Sequence, residues 1–126
     1  MTSYSTLYNT LLTNVVELKF NRRRPKSNVQ STRRMICTLD NSLLTSEKGV
    51  SVLGYKASSG TAAYNTQAKG LVVVWDILMQ DWRMVNTESC NIISVIPTVP
   101  VEEFWDYFNI SILPLSSSQK LAFINT

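Results

Sequence analysis

The residues in this chain best able to do chemistry are its cations. Arg22, Arg23, Arg24, Lys26, Arg33 and Arg34 crowd into thirteen positions and make up half of the twelve Lys and Arg residues. Guanidinium and ammonium groups at that density can track a phosphate backbone, releasing its counterions, or grip an acidic patch on another protein. A solvated loop that keeps a sheet edge from aggregating needs the same residues. Against nucleic acid, no aromatic side chain interleaves with the charges as a base-stacking platform requires.

Acid and base chemistry is poorly served. The sequence has no histidine, the usual general base, proton shuttle and metal ligand near neutral pH. The carboxylate pairs Asp76 with Asp81 and Glu102 with Glu103 are accounted for by turn capping and by charge at a helix N-terminus. Cys37 and Cys90, the only cysteines, have neither the spacing of a zinc site nor the number for a disulfide framework, and read as reduced, buried thiols. The four glycines match no phosphate-cradling pattern. The expectation is a protein that is not an enzyme, with no catalytic residues, no metal and no cofactor.

The elements that must position these side chains follow from periodicity. Tyr4, Leu7, Tyr8, Leu11 and Leu12 form one helical stripe, with Ser3 or Ser5 as cap. In VVELKF, residues 15–20, Val16, Leu18 and Phe20 alternate with Glu17 and Lys19 as a half-buried strand. After the basic connection, TRRMICTLD resumes the alternation, with Met35, Cys37 and Leu39 on one face and Arg34, Ile36 and Thr38 on the other. Residues 71–96, LVVVWDILMQDWRMVNTESCNIISVI, read as three strands, 71–78, 82–86 and 91–96, separated by short connections. Trp75 and Trp82 fall where indoles close a small core, and are expected to be structural.

Between these blocks, residues 41–70 form a long insertion. It opens with one helical turn at 40–44, passes through a short strand at 50–55 and ends in an exposed loop. Long insertions of this kind are often contact surfaces. Pro97 and Pro100 stop the last strand, and VEEFWDYF, residues 101–108, reads as a short helix with Pro100 at its first position and acids in its first turn. A short strand at 110–115, a serine turn and an apolar tail at 121–124 complete a C-terminal arm. Its aromatics Phe104, Trp105 and Phe108 either latch the arm to the body or anchor a partner.

With 126 residues, 44% of them hydrophobic and 17% charged, and a net charge of +3, the chain has the size and composition of one folded domain. No segment approaches the ~20 apolar residues of a membrane span, and residues 1–12 have neither the cationic start nor the long apolar run of a secretory leader. A protein without membrane association is expected.

VVELKF with its charged hairpin and TRRMICTLD, the glycine-containing insertion, and VVVWDILMQDWRMVNTESCNIISV together resemble a family of small bacteriophage proteins of unknown function described as SH3-type β-barrels. The resemblance spans residues 14–97. It implies a mainly β fold, a small SH3-like antiparallel barrel over 14–97 carrying the insertion 41–70, flanked by an N-terminal helix at 1–13 and a C-terminal aromatic arm at 98–126. It also implies a phage protein working in the host cytoplasm or the virion. Three functions fit. The first is an interaction module binding a phage or host protein through its loops and arms, and the second a virion or assembly component whose termini clasp neighbouring copies, a homo-oligomer. The third is a nucleic-acid-binding accessory protein using the basic hairpin.

Overall fold

The computed structural model describes residues 3–22, 32–57 and 68–125. Ser3 Oγ accepts the Thr6 N–H at 3.2 Å and opens helix α1, Tyr4–Thr13. Strands β1 (Asn14–Asn21), β2 (Thr32–Thr38), β3 (Leu71–Asp76), β4 (Asp81–Asn86) and β5 (Cys90–Pro97) then build one antiparallel sheet in the order β4-β3-β2-β1-β5. Among the described residues the sheet is open, with β4 and β5 as its two edges. The β1–β5 register slips between Glu17 and Leu18, which face Ser94 and Ile92, so Ile93 bulges without a partner.

Alternation along the strands supplies two cores rather than one. Val16, Leu18, Met35, Cys37 and Val74 face α1, whose Leu7 and Leu11 are fully buried against them. Val15, Ile36 and Trp75 point the other way, into a cluster completed largely by residues of, or just after, four helices. These are α2 (Asn41–Leu44), α3 (Glu47–Ser51), α4 (Val101–Ser111) and α5 (Ser117–Ile124). Both hairpin strands are therefore covered on both faces, and Met35, Ile36, Cys37 and Thr38 are all buried in succession. The half-buried strand read from VVELKF is correct in position: Val16 and Leu18 are buried, and Glu17 and Lys19 between them are only partly so.

Four local expectations are corrected. Residues 50–55 form no strand: Ser46 Oγ accepts the Gly49 N–H at 3.0 Å and starts α3 instead. A Cβ on Gly49 would lie 2.2 Å from the Leu43 carbonyl oxygen and 2.3 Å from that of Leu44, so only glycine lets α3 close onto α2. Residues 110–115 are not a strand either; α4 continues to Ser111, and the Ile112 N–H donates to the Phe108 carbonyl at 2.9 Å. The apolar tail at 121–124 belongs to α5, opened by a reciprocal capping box between Ser116 and Gln119. Pro100 sits one position before the first turn of α4, as its N-cap, rather than inside it. The helical turn read at 40–44 is α2, capped by the Asp40 carboxylate on the Leu43 N–H. Of the loop read over 58–69, residues 58–67 lie outside the described residues, and Ala68 and Lys69 form a turn leading into β3.

Candidate interaction surface

The basic hairpin is the first place to look, and much of its described charge is turned inward. Arg33 Nη2 donates to Asp76 Oδ2 at 2.6 Å, with Asp76 almost wholly buried. Burial pushes the Asp76 carboxyl up from its usual value, against the Met79 N–H and the Arg33 and Arg83 guanidiniums that pull it down. Burial likewise lowers Arg33, with Asp76 opposing. The Arg33 Nε–H is buried without a hydrogen-bond acceptor. Arg34 pairs with Glu17 and lies 4.4 Å from the centre of the Phe123 ring, and the Arg22 guanidinium donates to Asn125 Oδ1. Thus Arg22, Arg33 and Arg34 tie the root of the hairpin to the turn after β3 and to the end of α5. Arg23, Arg24 and Lys26 lie outside the described residues.

The carboxylates are equally committed. Asp76 Oδ1 accepts the Met79 N–H at 3.1 Å and closes the turn into β4. Asp81, directly opposite Asp76 in the register, is exposed and bonds Arg83 at 3.0 Å. That hydrogen bond holds its carboxyl below the ordinary carboxylate range. Glu102 and Glu103 stand exposed in the first turn of α4. Among the described residues, no three His, Cys, Asp or Glu side chains converge as metal ligands. Both thiols are buried, and desolvation raises Cys37 well above its usual value and Cys90 to about 11.

The aromatics form the interior. Trp75 is fully buried, donates its indole N–H to the Leu53 carbonyl at 3.2 Å, and meets Trp82 and Tyr55 edge-on, each with ring centres 5.4 Å apart. Trp82 is half-buried beside it, its indole N–H on the Lys56 carbonyl at 3.0 Å. Phe104, Trp105 and Phe108 are buried in the same cluster, Phe104 completely. Of the two roles open to these three, latch or partner anchor, their burial matches the latch, since the apolar face of α4 packs into the cluster on its own sheet.

Outward apolar side chains stand at Ile110, Leu113 and Leu121 on and beside α4 and α5, and along one edge of the sheet. On edge strand β5, Ile93 is 50% exposed and Val95 44%; just beyond it Val99 is 80% exposed, with Val101 also outward. Asn14 faces Pro97 in the register, and the Thr98 hydroxyl reaches the Thr13 carbonyl at 3.0 Å. The end of α1, with exposed Leu12, is therefore joined to this margin. Beside it an open cleft of about 330 Å³ is lined by Asp40, Ser42, Leu43, Thr98, Val99 and Val101, among others. Its carboxylate is already occupied, accepting from Ser42 Oγ at 2.9 Å, from the Leu43 N–H and from the Thr98 hydroxyl. Sequence reasoning passed over this margin. Its signal was there in CNIISVIPTVPV, residues 90–101, twelve positions without Asp, Glu, Lys or Arg.

No family model matches the chain, and neither does any curated protein or solved structure. No helix among the described residues is long and apolar enough to cross a membrane.

Proposed function

We propose that this chain is a non-catalytic protein-interaction module of the small SH3-like kind found among phage proteins, binding another protein through the margin formed by β5 and residues 98–101. The observation that carries the reading is an eight-residue edge strand with exposed Ile93 and Val95 and no charged residue. An edge presents a row of unpaired N–H and C=O groups, and chains that must stay alone blunt it with charges. Extended segments add to such edges through main-chain hydrogen bonds, with side-chain contacts giving specificity. In support of the SH3-like assignment, β1 pairs with both β2 and β5, the double pairing a small barrel of consecutive antiparallel strands requires. The partner is a phage or host protein, or, in a virion or assembly component, a neighbouring subunit; the neutrality of the margin favours the second as the alternative. Nucleic acid is less well supported, because Arg33 and Arg34 are neutralised within the chain.

The test is site-specific photo-crosslinking in the producing cell. A benzophenone side chain placed at Ile93 should yield a discrete protein adduct, whether to another copy or to a different protein, and the same group at exposed Glu47 on α3 should not. No adduct at Ile93, or equal adducts at both, overturns the assignment of the margin.

A further inference from the structure

The polar side chains around the open cleft of about 330 Å³ can accept hydrogen bonds but have none left to donate. Its hydroxyls belong to Ser42, Ser46 and Thr98, and a hydroxyl carries one hydrogen and two lone pairs. Ser42 Oγ gives its hydrogen to Asp40 Oδ1 at 2.9 Å, and Ser46 Oγ gives its own to the Leu43 carbonyl at 2.6 Å. Thr98 has two acceptors in reach for a single hydrogen, Asp40 Oδ2 and the Thr13 carbonyl at 3.0 Å. Every hydroxyl proton is therefore spent within the chain. What these side chains can offer a ligand is lone pairs, of which Ser46 keeps one after accepting the Gly49 N–H at 3.0 Å.

Asp40, only 6% exposed, adds a negative charge to that pattern. Its oxygens are used unequally. Oδ1 takes both the Ser42 hydroxyl and the Leu43 N–H that it caps, whereas Oδ2 meets the Thr98 hydroxyl alone among the described residues. Capping α2 thus accounts for Oδ1 and not for Oδ2. All three donors are neutral, and no Lys or Arg among the described residues pairs with Asp40. A carboxylate withdrawn from water is costly until a cation meets it. The residues next to the cleft carry the same sign: Glu47 follows Ser46, and Glu102 and Glu103 follow Val101, while Lys48 is held over the Trp105 ring, 5.3 Å from its centre.

Acceptors around one negative charge, with Leu43, Val99 and Val101 beside them, suit a group that only donates and is carried on an apolar stem. An ammonium has three hydrogens to give and no lone pair. A guanidinium prefers both oxygens of a carboxylate, and here Oδ1 already holds two donors. A divalent ion is poorly served, since no three His, Cys, Asp or Glu side chains converge among the described residues.

We infer that this cleft binds a primary alkylammonium group, with its N–H donors on Asp40 Oδ2 and the hydroxyl oxygens and its methylenes against Leu43, Val99 and Val101. The group belongs to a free amine or to a lysine side chain, and the inference holds whether or not the β5 edge receives a protein.

The experiment is a titration of the isotope-labelled full chain with n-butylammonium chloride at constant ionic strength, followed by backbone amide chemical shifts. Saturable shifts should appear at Ser42, Leu43, Ser46, Val99 and Val101, and n-butanol or butyrate at equal concentration should give none. Asp40→Asn keeps a side-chain oxygen for the α2 cap and should bind the amine about tenfold more weakly or worse. If circular dichroism shows that this variant does not fold, Val99→Lys carries the test: on the exposed rim it sets a fixed cation beside Asp40 and should abolish binding. No saturable shift, equal shifts with butanol or butyrate, or undiminished binding by the folded variant overturns the site. Nα-acetyl-lysine amide, titrated alongside, separates the two sources. Binding at least as tight as that of n-butylammonium assigns the cleft to a lysine side chain, and weaker binding assigns it to a free amine.

Discussion

Removing Arg33 should unmask the cost of Asp76. In Arg33→Met the carboxylate of Asp76, nearly inaccessible to solvent, keeps its Met79 N–H but loses the guanidinium 2.6 Å away. Breaking a buried ion pair by deleting one partner typically costs ~3–5 kcal/mol. For a domain of this size, at roughly 3–5 °C per kcal/mol, that corresponds to a fall in Tm of about 10–25 °C. The sign of the pH dependence follows from the raised Asp76 carboxyl. Between its unfolded and its higher folded value the native state holds more proton than the unfolded one, so this group's contribution to stability falls as pH rises through that window. Without Arg33 the folded value climbs further and the window widens. The deficit of Arg33→Met against wild type should therefore be largest at neutral pH and shrink on acidification toward pH ~4. Urea unfolding followed by tryptophan fluorescence at several pH values measures it. The double variant Arg33→Met/Asp76→Asn should recover most of the loss, because a neutral amide oxygen can still accept the Met79 N–H without leaving a buried charge unpaired. A single-variant loss below ~1 kcal/mol, the size of an exposed pair, or a deficit that does not change with pH, refutes the reasoning.

Two further outcomes test the packing. Phe104→Ala should lose ~3–5 kcal/mol, the range for emptying a core aromatic site, whereas Ile110→Ala, on the exposed side of the same helix, should stay within about 0.5 kcal/mol; equal losses in urea unfolding would mean that α4 is not docked as described. Cys37 and Cys90, both buried and with raised thiol values, should not react with a thiol-specific disulfide reagent at neutral pH until urea unfolds the chain, when two equivalents appear; rapid labelling of the native protein would contradict their placement.

Elements specified by local pattern were legible in the sequence; those that depend on distant partners were not. The stripe from Tyr4 to Leu12 gives α1 with its Ser3 cap, and the runs around Trp75, Trp82 and Ile92 give three consecutive strands. Residues 50–55 and 110–115 were misread because a short apolar run fits a strand or a helix equally well. The deciding facts are contacts: Gly49 against the Leu43 and Leu44 carbonyls, and Phe108 holding Ile112. Ser116 and Gln119 did spell a capping box, so α5 could have been found from spacing alone. The basic hairpin could be counted from the sequence, but the inward turn of Arg33 could not, since its partner Asp76 lies 43 residues away. Trp75 needed only its apolar setting, while Phe104 and Trp105 needed the sheet that covers them.

The exposed margin makes the same point in reverse, because whether a strand is an edge is a property of the sheet and not of the strand. CNIISVIP has the composition of an interior strand, and with β1 on one side alone its other side has no partner among the described residues. Helices cover both faces of the sheet, and the internal pairing of Arg33 and Arg34 leaves the hairpin root little free charge. Among the described residues the buried side-chain polar atoms other than Arg33 Nε are paired, and Trp75, Phe104, Trp105 and Phe108 are buried. The uncharged edge is where backbone donors and acceptors and exposed apolar side chains coincide. An isolated domain gains nothing from that combination, which invites aggregation, and it is on this edge that the proposed interaction surface rests.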